Sequence, residues 1–169
     1  VYAAGAISGT GNVVLGEYTV RGLSSIGNTP VLVKLSSDGV IQWVKADYII
    51  SENAVASFTS VATDAAGNVY VAGNGYGTVA KTTMGINYIF ILKLSADGSI
   101  VWSKTITKVT NPGNAGASVN SVAVDSSGNV YAAGSLKGRS VYYYFDDKTM
   151  VDGAASGSGS ADEVQDRRY

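Results

Sequence analysis

Five residues near the end of the chain have types and spacing suited to holding a ligand. Tyr142, Tyr143 and Tyr144 form an aromatic run, and Asp146 and Asp147 follow after a single phenylalanine. Rings can stack on a sugar or peptide while carboxylates accept its hydroxyl or amide protons. The same run also reads as a short hairpin, with two rings packed inward and the aspartates in its turn. The five stand as ligand-binding candidates, with the hairpin as the competing structural explanation. Carboxylate pairs also serve acid–base catalysis when they are close together and shielded from water. Asp146/Asp147 and Asp162/Glu163 are sequence neighbours, however, and neighbours on a strand point to opposite faces. No catalytic residue is assigned.

Missing residue types exclude more. The chain has 169 residues, with no Cys and no His. Thiolate nucleophiles, disulfide frameworks, Ser-His-Asp triads and zinc sites built on Cys or His are all ruled out. Lys and Arg number 12 against 13 Asp and Glu, so no polybasic footprint for nucleic acid is present. No run approaches the ~20 apolar residues that a membrane-spanning helix needs. Gly153-Ala-Ala-Ser-Gly-Ser-Gly-Ser160 could wrap an anion, but no phosphate-loop or dinucleotide glycine pattern accompanies it. It reads as a flexible loop or linker. No cofactor is expected.

Whatever site exists must be positioned by a repeat, which is the strongest signal in the chain. Val1-Tyr-Ala-Ala-Gly5 recurs at Val130-Tyr-Ala-Ala-Gly134 and, with one change, at Val69-Tyr-Val-Ala-Gly73. Val33-Lys-Leu-Ser-Ser-Asp-Gly39 with Trp43 recurs as Leu92-Lys-Leu-Ser-Ala-Asp-Gly98 with Trp102. The unit is about 60 residues long. With 46% hydrophobic residues the chain can build a core, and 21 glycines favour many turns over helices. The expected class is all-β. Each unit reads as four strands. Strand A is followed by an Asp-x-x-Gly-Asn turn and strand B. Strand C is followed by a Ser-x-Asp-Gly turn and strand D.

Antiparallel strands are expected over 30–46, 57–74, 88–107 and 118–134. Asp64 and Asp125 should accept backbone N–H bonds inside their turns, with Gly67 and Gly128 in the left-handed region. Asp38-Gly39 and Asp97-Gly98 read as the commonest short hairpin signal. The four aspartates lack the clustered carboxylates of a calcium loop and read as structural. Trp43 and Trp102, like Tyr2, Tyr70 and Tyr131, sit at matching repeat positions and read as packing residues.

Four-stranded units with an aromatic residue in the last strand describe propeller blades. The run 121–134, together with Lys93-Leu-Ser-Ala-Asp-Gly-Ser-Ile-Val-Trp102, resembles the bacterial SBBP-type β-propeller repeat. The similarity covers 1–135 and fades over 136–169, where Ala161-Asp-Glu-Val-Gln-Asp-Arg-Arg-Tyr169 takes the place of a strand C. The resemblance implies a secreted or cell-surface bacterial propeller without an assigned activity. It brings no catalytic residues.

The expected fold is consecutive four-stranded antiparallel blades in an incomplete ring. The units are 1–56 with strands B-C-D, 57–117 with A-B-C-D, and 118–169 with A-B and a charged stretch in the place of C. That is about two and a half blades, against about four to eight in a closed propeller, which suggests a fragment of a longer repeat chain. Flanking blades or neighbouring copies should cover the open sheets.

Tight A–B and C–D turns lie at one end of the strands. The longer links, 6–29, 74–87 and 135–160 among them, gather at the other. Binding usually resides on such loops. The first functional reading is a non-enzymatic module for binding or adhesion to a protein or glycan. A purely structural repeat comes second, and part of a quinone-dependent propeller enzyme third.

Overall fold

Short turns of one design set the strand boundaries. In the computed structural model, which describes residues 1–48, 54–80, 82–109, 116–137, 141–145 and 149–153, Gly67 N–H donates to Asp64 O at 3.1 Å. Gly128 N–H donates to Asp125 O at 3.0 Å. Both glycines take the left-handed conformation, at φ 83° and 84°, which residues with a Cβ avoid. The carboxylates brace the turns as expected: Asp64 accepts from Asn68 N–H at 2.9 Å, and Asp125 from Asn129 N–H at 2.8 Å. The Asp-Gly links use the same form. Gly39 donates to Ser36 O at 3.2 Å and Gly98 to Ser95 O at 2.8 Å, so the glycine closes the turn from its last position.

The described residues form thirteen strands and contain no helix. In chain order they are β1 (Tyr2–Ser8), β2 (Asn12–Leu15), β3 (Tyr18–Arg21), β4 (Asn28–Leu35) and β5 (Ile41–Lys45). Next come β6 (Val55–Thr63), β7 (Val69–Val79), β8 (Thr82–Leu94) and β9 (Ile100–Val109). The last are β10 (Gly116–Val124), β11 (Val130–Lys137), β12 (Val141–Phe145) and β13 (Thr149–Gly153). All pairings are antiparallel. Sheet I has the order β1-β4-β5, sheet II β13-β12-β9-β8-β7-β6, and sheet III β10-β11; β2 and β3 form a separate hairpin.

Repeat-related strands share registers. Tyr2 faces Lys34 across β1–β4, and Tyr70 faces Lys93 across β7–β8. Bulges recur too: the register shifts between Lys34 and Leu35, and again between Lys93 and Leu94. The first strand of sheet II slips between Phe58 and Ser60, and that of sheet III between Val119 and Ser121.

The sheets pack face to face, with sheet II in the middle. Tyr2, Leu32 and Trp43 of sheet I meet Phe58, Val71, Phe90 and Leu92 of sheet II. The opposite face of sheet II offers Tyr70, Ala72 and Trp102 to Val119, Val122 and Val130 of sheet III. Burial on both faces explains why Ile89-Phe-Ile-Leu92 shows no apolar–polar alternation. Polar bonds stitch the seams: Tyr2 Oη donates to Ala96 O at 3.3 Å, and the Thr59 hydroxyl to Val119 O at 2.8 Å. The far face of sheet I is partly covered by the β2–β3 hairpin, through Val13 and Val20 against Ile7, Val31 and Ala46.

Two links depart from the sequence expectation. Residues 74–87, read as a connecting loop, largely continue β7 and β8 into a long ribbon. Gly75 and Gly77 look like loop signals, but they serve close approach. A Cβ on Gly75 would meet Val55 O at 2.4 Å, and one on Gly77 would meet Ala54 Cα at 2.7 Å. The ribbon tip is held where Ala80 N–H donates to Tyr48 O at 2.7 Å. In the second case, β12 and β13 join the edge of sheet II, through pairing of Tyr143 with Val109 and Tyr144 with Lys108.

Candidate functional site

The aromatic run of the sequence candidates occupies β12. Tyr143 is 2% exposed, packed with Ile106 and against Ile89, Ala117 and Leu136. Its hydroxyl accepts from Gly116 N–H at 2.8 Å and lies within donating distance of Gly116 O and Lys137 O. That side chain joins the hairpin to sheets II and III. Tyr142 and Tyr144 flank it on the strand, and β12 pairs with β13 as a hairpin. Asp146 and Asp147 lie outside the described residues, as do Asp162 and Glu163.

The other singled-out side chains have structural partners. Trp43 packs on Tyr2 at 5.8 Å between ring centroids, and Trp102 on Tyr70 at 6.2 Å. The turn aspartates have depressed pKa values because donors surround their ionised form. The Ser95 hydroxyl, then the Ser99 N–H and hydroxyl, lower Asp97 to about 2. The Asn68 amide leads for Asp64 and the Asn129 amide for Asp125. Among the described residues, no three His, Cys, Asp or Glu side chains come together as a metal site.

The ends of the strands opposite the tight turns hold a groove that the sequence reading did not single out. Its volume is about 350 Å³, and it lies between sheets II and III. Val55, Gly116 and Ala117 at the starts of β6 and β10 form one side. Asn74, Tyr76, Ser135 and Lys137 at the ends of β7 and β11 form the other. Asn74 is committed to the seam. Its amide oxygen accepts from Val119 N–H at 2.8 Å, and its Nδ2 donates to Val119 O at 3.3 Å. The Ser118 and Ser135 hydroxyls bond each other at 2.8 Å. The side chains of Tyr76 and Lys137 have no hydrogen-bond or ion-pair partner among the described residues. A ring, an ammonium group and two hydroxyls around one hollow suit a polar ligand with an apolar face. The signal that could have located them is position: Asn74 and Ser135 each follow the repeated Val-Tyr-x-Ala-Gly block.

A second hollow, about 240 Å³ and mainly apolar, opens deeper in the same seam. Ile89 and Ile106 of sheet II line it, with Val119, Ala132 and Leu136 of sheet III and Tyr143.

No protein-family model matches the chain, and no curated protein is significantly similar to it. The class that fold and repeat define is an all-β protein of antiparallel sheets packed in series.

Proposed function

We propose that this chain is part of a secreted or cell-surface β-propeller of the SBBP type, acting as a non-enzymatic module that binds a protein or glycan. The propeller reading rests on three sheets stacked face to face, with matching tyrosine–lysine registers and bulges in sheets I and II and a matching first-strand bulge in sheets II and III. The binding reading rests on one observation: the groove at the loop end carries Tyr76 and Lys137, whose polar groups have no partner among the described residues. A tyrosine ring can stack on a sugar or peptide plane, and a lysine adds attraction for an acidic group.

Glycan and peptide arrays probed with the intact chain test it. A specific binder should lose about tenfold or more in affinity on Tyr76→Ala, as expected of an aromatic anchor, while the fold remains intact. Array silence, or binding that ignores both Tyr76→Ala and Lys137→Ala, overturns the groove assignment. The competing structural reading is favoured by the turn aspartates and the Tyr-Trp pairs, all of which satisfy partners within the sheets.

A further inference from the structure

The Val-Tyr-x-Ala-Gly block repeats almost unchanged, but the position three residues after its glycine does not. Ser8, Tyr76 and Lys137 stand there in turn. Tyr76 pairs with Val55 across β6–β7, and Lys137 with Gly116 across β10–β11, so the two hold equivalent places in adjacent sheets. Both line the groove of about 350 Å³ between those sheets. Side chains that pack recur in this chain, as the Tyr2–Trp43 and Tyr70–Trp102 pairs do. A position that changes in every copy is one that packing does not dictate.

The groove carries charge of one sign. Lys137 is the one charged side chain among its described lining residues, and its ammonium group has no ion-pair partner among the described residues. The turn carboxylates Asp64 and Asp125 lie at the far ends of the strand pairs, roughly 25 Å away at ~3.3 Å per residue. That is about three Debye lengths at physiological salt, so their repulsion is screened. The remaining lining suits a sugar better than a peptide. Ser118 and Ser135 spend one O–H on each other, which leaves a hydroxyl proton and several lone pairs for a ligand's hydroxyl groups. The half-buried Tyr76 adds a ring for the apolar face of a pyranose. Residues at this end pair within their own strand pairs, and Gly116 N–H donates to Tyr143, so an extended peptide finds no ladder in the groove.

We propose that the groove takes an acidic glycan, with a uronate carboxylate on Lys137, the sugar ring on Tyr76, and its hydroxyls on Ser118 and Ser135. This rests on the reading of the groove as a binding site and narrows the ligand to one class.

Calorimetric titration of the full chain with oligogalacturonate, alginate oligosaccharides and hyaluronan fragments tests it. At least one should bind saturably and weaken as salt rises. Methyl esterification of its carboxylates should cost about tenfold in affinity, and this arm alters the ligand alone, so it is independent of protein folding. Lys137→Ala should cost about the same for the acid and nothing further for the ester. Tyr76→Ala should weaken both about tenfold. No saturable binding by any of the three, or equal affinity for acid and ester, overturns the proposal. If a neutral oligosaccharide binds as tightly and still depends on Tyr76, the groove stands as a binding site and the acidic class falls. If an acidic oligomer binds but ignores both substitutions, both readings fall. Full displacement by poly-glutamate at equal carboxylate concentration would assign the groove to acidic peptides and overturn the glycan.

Discussion

Asp97 is a turn carboxylate held by donors from the residues on both sides of it. Ser95 and Ser99 hydroxyls and the Ser99 N–H all point at it, and they hold its pKa at about 2 against an ordinary 3.8. A depressed pKa means that folding favours the ionised form. The stabilisation is therefore complete above about pH 4 and fades as pH falls toward 2. Asp97 is solvent-exposed, so the global effect is small, and the measurement of choice is local. Carboxyl NMR titration should give a midpoint near 2 for Asp97, with Asp64 and Asp125 also below 3.8. A midpoint at the ordinary value would show that the turn donors are not engaged in solution. The neighbouring phenol supplies a matching prediction. Hydrogen bonding to Asp125, and then its charge, raise the Tyr131 pKa above 10.0. Asp125→Asn removes the charge and most of that preference, so the Tyr131 midpoint should fall toward its ordinary value.

At the scale of strands, one repeat position shows how an element dictates its residues. Gly5, Gly73 and Gly134 end the same five-residue block, yet their surroundings differ. A Cβ on Gly73 would meet Ser57 O at 2.4 Å and Phe90 Cζ at 2.4 Å; one on Gly134 would meet Ser118 O at 2.0 Å. Gly5 has nothing within 4 Å. The difference is strand A: β6 and β10 press a carbonyl onto their partners beside the bulge, and the described part of sheet I has no such strand. Gly73→Ala should therefore destabilise by about 1–3 kcal/mol, as overpacking does. Gly5→Ala should stay within about 0.5 kcal/mol of the parent. Urea denaturation of the two variants checks the contrast, and equal losses would refute it. The same strands mark what was legible in the sequence. Turn aspartates, left-handed glycines and repeated registers could be read because each is a local pattern. The β7–β8 ribbon could not, because Gly75 and Gly77 report contact with a strand some twenty residues away in sequence, and glycine looks alike in a loop. Tyr76 and Lys137 were missed for a related reason: only sheet-on-sheet packing brings β7 and β11 together at that end.

For the whole molecule, the serial arrangement means that each sheet is secured mainly by its neighbours. Among the described residues, sheet II is held from both sides, whereas sheet III packs through the seam with sheet II alone. Within that seam Asn74 is a strong link, since its one amide satisfies both the N–H and the carbonyl of Val119, a residue 1% exposed. Asn74→Ala should leave the buried Val119 N–H without its partner, while the Thr59 hydroxyl still donates to the carbonyl, at a cost of about 1–3 kcal/mol. The loss should be local. Amides of β10 and β11 should exchange faster, while those of β1, β4 and β5 keep their protection, because sheet I touches sheet II through the separate Tyr2–Leu32–Phe90 cluster. Trp43→Ala, which weakens that other seam, should produce the reverse map. Native-state hydrogen exchange on the two variants decides the matter. Two complementary maps would mean that the sheets open one at a time from the ends. A uniform loss of protection in both variants would mean that the three sheets unfold as one cooperative unit, and the seams would then have no independent standing.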